Sequence, residues 1–199
     1  MTDHAPFEFF ESDDRALTAS WIELRRRSFR QHYPWLPEEF GLEDETDRAS
    51  CRVYAVRGEK VIAGARLTVS APRSPRILPL EESGLRLLPR AEFAEMDLER
   101  NPYAEISRMA VDPECTSGLE VSFGLSRELC RSAARRGVDA IFSICPDGPA
   151  RLNRVNAKKC GVSFHRYYQV PTIFGVSMWL CAFTGVLWAH GQRIREVAA

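Results

Sequence analysis

The sequence predicts an α/β (α+β) fold in which one mixed sheet is covered by helices, and three observations carry that prediction. β-rich runs at residues 51–57, 60–69, 103–111 and 140–145 are bounded by Gly, Pro, Asn or Asp, the signature of strands. Helical apolar spacing separates several of them, so strand-helix-strand units pair part of the sheet in parallel. The dipeptide Gly58-Glu59 between the first two runs signals a hairpin and antiparallel pairing for the rest. At 199 residues the chain fits one domain over 1–199, since a chain of that size buries about 70% of its unfolded surface around a single core.

Taken in order, Ser12-Asp13-Asp14 is an acidic helix start, and Leu17, Trp21, Leu24, Ser28 and Phe29 follow near helical spacing, predicting a helix over 14–33. Pro34 and Pro37 break it, and Glu43-Asp44-Glu45-Thr46-Asp47 reads as a loop. The hairpin stops at Pro72, Pro75 and Pro79, and residues 81–100 form a short helix or irregular crossing. Asp112-Pro113 ends the strand at 103–111. A helix over 118–136 turns Leu119, Phe123, Leu125, Leu129 and Ala133 toward a core and stops at Gly137. A short buried strand, 140–145, precedes a polar helix over 149–160 that Gly161 terminates. Residues 170–189 are uncharged for twenty positions, long enough to span a bilayer. Pro171, Gly175, Gly185 and three hydroxyl residues interrupt the run, and its β-branched and aromatic content predicts one or two buried strands lining an apolar pocket, with no membrane span.

Hydrophobic residues at 45% and charged residues at 27% exclude disordered, collagen-like and coiled-coil classes. The six cysteines, at 51, 115, 130, 145, 160 and 181, lack metal-ligand spacing, and the chain opens on Met1-Thr2-Asp3-His4 rather than a basic, apolar leader. Reduced thiols, a cytoplasmic location and no metal site are the expectation. The net charge of zero hides a segregation. Residues 1–50 carry twelve acids against six bases, while residues 123–166 carry nine bases against three acids. Such asymmetry suits either a face for an anionic partner or two solvated helix faces.

One ordered set of residues carries chemistry: Leu24-Arg25-Arg26-Arg27-Ser28-Phe29, then Trp35, then Glu43 to Asp47, then Ala65-Arg66-Leu67, then Glu105-Ile106-Ser107-Arg108. Over residues 20–112 this pattern resembles the acyl-homoserine-lactone (autoinducer) synthases and their relatives, the long-chain N-acyl amino acid synthases. Those families place an Arg and a Phe on the first helix, a Trp after it, two spaced acids in the next loop, an Arg ending the second strand and a Glu-x-x-Arg on a central strand. The matching positions are Arg25, Phe29, Trp35, Asp44, Asp47, Arg66, Glu105 and Arg108. The resemblance implies a GNAT-like fold with a largely antiparallel central sheet and an acyl pocket between diverging central strands. It also implies transfer of an acyl group to an amine.

Acyl transfer to an amine requires a group that takes the ammonium proton and donors for the tetrahedral oxyanion. Glu105, on a strand between apolar neighbours, is the candidate base, acting through a water; the other reading makes it half of an ion pair with Arg108 or Arg66. Backbone N–H groups from Met109 to Val111 are candidate oxyanion donors, especially if the strand carries a bulge. Arg25, Asp44, Asp47, Arg66 and Arg108 form a network of opposite charges that either holds the substrate or fixes the fold. Phe29 and Trp35 are expected to wall the acceptor pocket.

The donor is inferred from the turn after the central strand. Acetyl-CoA-dependent relatives carry a Gly-rich pyrophosphate loop there, whereas this chain reads Asp112-Pro113-Glu114-Cys115-Thr116-Ser117-Gly118. The expected donor is therefore a phosphopantetheine thioester on acyl carrier protein, with no tightly bound cofactor. Arg131, Arg135, Arg136, Arg151, Arg154, Lys158 and Lys159 are the expected docking face for that acidic partner; nucleic acid is not expected. The resemblance implies an N-acyl amino acid synthase with tyrosine as acceptor. Met109, where lactone synthases carry an aromatic, and the apolar run to Ala189 favour it over a lactone synthase using S-adenosylmethionine; a non-catalytic acyl-carrier or lipid-binding module is the other alternative, which Glu105→Gln separates because binding would survive it.

Overall fold

The computed structural model describes residues 5–173 and 175–198. The chain runs β1 (Phe7–Glu11), α1 (Arg15–His32), α2 (Glu45–Ala49), β2 (Cys51–Arg57), β3 (Lys60–Ser70), α3 (Pro79–Glu82), β4 (Tyr103–Val111), α4 (Gly118–Arg135), β5 (Ala140–Cys145), α5 (Asp147–Cys160), β6 (Ser163–Ile173), β7 (Val176–Thr184) and α6 (Val186–Ala198), with 3-10 turns at Glu38–Gly41 and Ala91–Met96. The strands form one seven-stranded sheet in the order β1-β2-β3-β4-β5-β7-β6. β4 and β5 pair in parallel, while β1 with β2, β5 with β7, and β6 with β7 pair antiparallel. The mixed, helix-flanked sheet expected from the sequence is therefore present.

By contacts the chain groups into two compact units, one of residues 1–66 and 108–129, the other of 67–107 and 130–199. In the first, the Asp14 carboxylate caps α1 by accepting the N–H groups of Ala16 at 2.6 Å and Leu17 at 3.1 Å, which supplies two donors the first turn leaves open. α1 then buries Trp21, Leu24 and Phe29 with Tyr54, Val56, Val61 and Ala110. Trp21 meets Tyr54 edge-on at 6.2 Å. A Cβ at Gly64 would stand 2.5 Å from the Trp21 ring, so only glycine lets the helix sit this close to β3. In the second unit, leucines of the crossing before β4 (Leu78, Leu80, Leu85, Leu87, Leu98) pack with Phe93, Tyr103, Phe142 and Leu180. The crossing has little regular structure, yet its apolar spacing covers a sheet face.

Three expectations change, and one strand is new. Residues 7–11 are a strand, antiparallel to β2 from Phe7 opposite Arg57 to Glu11 opposite Val53. The acidic stretch is not all loop: it starts α2 because Asp44 and Asp47 cap each other's backbone N–H groups. Leu119 is 73% exposed, since the buried stripe of α4 runs through Val121, Leu125, Leu129 and Ala133 at four-residue spacing. The uncharged run forms β6, β7 and, from Val186, the start of α6. Among the described residues no helix is long and apolar enough to cross a membrane.

Candidate functional site

β4 carries both halves of the Glu-x-x-Arg motif. Tyr103, Ala104 and Glu105 lie opposite Ala140, Ile141 and Phe142 of β5. This register turns Glu105 and Tyr103 to the same face, because strand side chains alternate. Glu105 is 4% exposed, and its Oε2 accepts the Leu80 N–H at 2.8 Å. Leu80 belongs to α3, a one-turn helix whose N-terminus Glu81 caps by accepting the Leu78 N–H at 3.0 Å. A charge-assisted bond to a backbone N–H is strong and orients the carboxylate.

Three residues on, Arg108 has φ 56°, inside the left-handed region that L-residues with long side chains avoid. Holding it there costs on the order of 1–3 kcal/mol. Met109 and Val111 are half-buried and Ala110 is buried.

The five charged residues of the motif that fall in the first unit do come together. Arg25 is 0% exposed and grips Asp47 with both ends of its fork, at 3.0 and 2.9 Å. Its Nε donates to the Gly41 carbonyl at 3.0 Å and its Nη2 to the Leu42 carbonyl. Arg66, 2% exposed, donates through Nη1 to Asp44 at 2.6 Å and Asp47 at 3.0 Å. Arg108 donates to the Phe40 carbonyl and, at 3.4 Å, to Asp44, and its guanidinium lies 3.3 Å from the Phe40 ring centroid. Burial, then the Arg66 and Arg25 charges, pull the Arg108 guanidinium down to about 10, so it remains a cation at neutral pH. Burial pushes the Asp44 carboxyl up, but the hydrogen bond and charge of Arg66, the Asp47 N–H and Arg108 outweigh it and hold the group below its ordinary value.

Accessibility divides this network. The Arg25 and Asp47 side chains are 0% exposed and that of Arg66 is 3%. Asp44 at 35% and Arg108 at 13% retain solvent-facing surface. Phe29 is 8% exposed and packs in the core, whereas Trp35 is 43% exposed and meets Tyr33 edge-on at 5.5 Å. A cavity of about 390 Å³ in this unit is lined by Phe29, Tyr33 and Pro37 among others, without Trp35. The expected joint wall of Phe29 and Trp35 is thus divided: Phe29 faces the cavity and Trp35 faces outward.

The second unit holds a larger cleft, about 920 Å³, whose lining includes Ser70, Pro75, Ile77, Glu81, Leu88 and Tyr103. The Tyr103 hydroxyl lies 3.4 Å from Glu81 Oε1, and burial above all raises the phenol above its ordinary value, keeping it a donor. Nothing in the sequence flagged Leu80 or this cleft: the donor to Glu105 is main chain, and the lining comes from the irregular crossing.

Arg131, Arg135, Arg136, Arg151, Arg154, Lys158 and Lys159 are all exposed and belong to the second unit. Arg151, Arg154 and Lys158 recur at helical spacing on α5, whose Ala150, Ala157 and Cys160 are buried. Arg151 is paired with Asp147 at 2.7 Å. Among the described residues no cluster of three or more His, Cys, Asp or Glu residues can hold a metal ion.

No protein-family model matches the chain, and no curated protein sequence matches it. Solved structures do. FeeM, an N-acyl amino acid synthase from uncultured soil microbes, superposes with a TM-score of 0.63 at 14% identity, covering 92% of this chain and 93% of that one. The acyl-homoserine lactone synthase LasI gives 0.61 at 14%, covering 91% and 90%. The CoA-dependent acyl-homoserine lactone synthase BjaI gives 0.63 at 15%, covering 95% and 90%. The chain has the GNAT-like fold that these structures share.

Proposed function

We propose that the chain is an N-acyltransferase that moves a long-chain acyl group from a phosphopantetheine thioester on acyl carrier protein to the α-amine of an amino acid, tyrosine first. The observation that carries this reading is β4 itself: a buried, oriented carboxylate at Glu105 followed three residues later by a left-handed Arg108. The ammonium gives a proton to Glu105 through a water, and the freed amine nitrogen attacks the thioester carbonyl. N–H groups from Met109 to Val111 receive the negative charge that develops on the carbonyl oxygen. The C–S bond then breaks, the amide forms, and the thiolate leaves to take up a proton. The acyl chain enters an apolar pocket, as the resemblance to the acyl-transferring families implies.

Within the motif, Arg25, Asp47 and Arg66 act by holding α1 and α2 in place, because they are buried and mutually engaged, and Phe29 acts by packing in the core. Asp44, Arg108 and Trp35 retain the surface to touch substrate. The seven exposed bases dock the acidic carrier in the cytoplasm, by long-range attraction that speeds encounter.

A second reading, an acyl-homoserine lactone synthase using S-adenosylmethionine, is favoured by the retained Arg25, Asp44, Asp47, Arg66 and Arg108 network and by the likeness to LasI and BjaI. BjaI, described as CoA-dependent, makes the donor a variable of the test. Incubation of the protein with acyl carrier protein or CoA thioesters, and with tyrosine or S-adenosylmethionine, is read by mass spectrometry. N-acyltyrosine formed from the carrier thioester is expected; a lactone overturns the first reading in favour of the second. Arg154→Glu with Lys158→Glu is expected to raise KM for the carrier-bound donor about tenfold and leave a CoA donor unaffected.

A further inference from the structure

The large cleft of the second unit is connected to Glu105 by covalent structure. α3 spans only Pro79–Glu82. Its Leu80 N–H holds Glu105, and the next side chain, Glu81, lines the cleft. From the other side, Tyr103 lines the cleft and stands two residues before Glu105 on the same face of β4. The carboxylate proposed to take the substrate's proton and the floor of the cleft therefore share one turn of helix and one strand segment.

The lining chemistry selects a ligand. Glu81, Glu82, Glu99, Arg76 and Arg86 line the cleft together with proline, Ile77 and Leu88, so the lining carries three acids and two bases. A compound with an ammonium, a carboxylate and an apolar body matches each component, and the volume falls in the range of small-molecule sites. Glu81 is suited to the ammonium: its carboxylate has about four acceptor positions, and the Leu78 N–H and the Tyr103 hydroxyl approach from the protein side.

We propose that this cleft is the binding site for the acceptor amino acid, with Glu81 receiving its ammonium group. The proposal rests on the acyl-transfer reading for the word acceptor, but binding is measurable without turnover. Placing the amine here brings its proton to the side of β4 that bears Glu105, and it leaves the Arg108–Val111 segment for the thioester.

The test uses the whole chain and L-tyrosine, with N-acetyl-L-tyrosine as the probe lacking an ammonium. Calorimetry or ligand-observed NMR is expected to show tyrosine binding at or below about 1 mM, the upper end of ordinary KM values, and no binding of the acetylated probe. Ala71→Trp and Leu88→Trp, two independent substitutions in the lining that narrow the cleft, are each expected to weaken binding about tenfold or more. Glu81→Gln does the same while keeping an acceptor for the Leu78 N–H. In turnover, these variants raise KM for the amine and leave KM for the thioester unchanged. Tyrosine affinity unaltered in both tryptophan variants, equal binding of the acetylated probe, or no tyrosine binding to the wild type overturns the cleft assignment. If binding follows the cleft variants and no thioester is ever consumed, the amine site stands and the acyltransferase reading falls.

Discussion

The two compact units handle buried charge differently. In the first, Arg25, Arg66 and Arg108 engage Asp44 and Asp47, and the innermost contacts are multivalent: a fork on a carboxylate, one guanidinium bridging two acids, two acids capping one another, with Arg108 adding one bond to Asp44. In the second, the Glu105 carboxylate is fixed by a main-chain N–H from a one-turn helix beside a wide cleft. Removing a sealed member of a web of mutually paired charges, Asp47 above all, leaves its buried partners uncompensated. A carboxylate oriented by a backbone donor can be neutralised without removing the bond that positions it. The first arrangement suits a scaffold and the second suits chemistry.

Glu105→Gln should sharpen that contrast most. The amide oxygen still accepts the Leu80 N–H, so the melting temperature should stay close to that of the wild type. The amide cannot take up a proton at neutral pH, and acyl transfer should fall by about 10²–10⁴-fold, the usual contribution of a general base. Thiol release from the donor measures the rate and thermal unfolding the fold. A variant with wild-type turnover removes Glu105 from the mechanism.

Asp47→Ala should show the opposite pattern. It strips two guanidiniums, Arg25 and Arg66, of a shared buried partner and removes the reciprocal half of the capping box of α2. The expected loss is about 3–5 kcal/mol of stability, read from the urea midpoint at unchanged slope. A loss below about 1 kcal/mol, the range of exposed ion pairs, would place this network on the surface in energetic terms and break the comparison.

Much of this architecture was legible in the residues, for reasons that can be named. The strand at 103–111 and the hairpin around Gly58-Glu59 are bounded by residues with strong backbone preferences, and their observed limits agree to within a residue. α1 announced itself through its period and its Asp14 cap. β1 did not, because five residues with two glutamates give too short an alternation to stand out, and its strand character comes from pairing with β2. α2 was hidden by its own acids: Asp44 and Asp47 three apart form a capping box, a local signal that a reading of charge density alone passes over. In the site, the order of Arg25, Asp44, Asp47, Arg66, Glu105 and Arg108 pointed to chemistry through resemblance. Which of them are sealed and which accessible required coordinates, since burial is decided by residues far apart in sequence. The Leu80 N–H could not be found at all, because main-chain donors carry no residue identity.

The smallest effect concerns Asp44, the network member with the most exposed carboxylate. Its folded-state proton affinity is depressed, so its contribution to stability is fully present above the unfolded carboxylate pKa, about 3.9, and is lost as pH falls through the lower folded value. Asp44→Asn should therefore melt somewhat below the wild type at pH 7, and the two curves should converge as pH is lowered past 3.9 toward the folded value. Other carboxylates titrate alike in both proteins and cancel in the difference. Asn keeps a side-chain oxygen to accept the Asp47 N–H, so the helix cap persists and the difference isolates the ionic contacts with Arg66 and Arg108. A difference in melting temperature that stays constant between pH 7 and pH 3 would assign the effect to packing rather than to charge, and would detach Asp44 from the rest of the network.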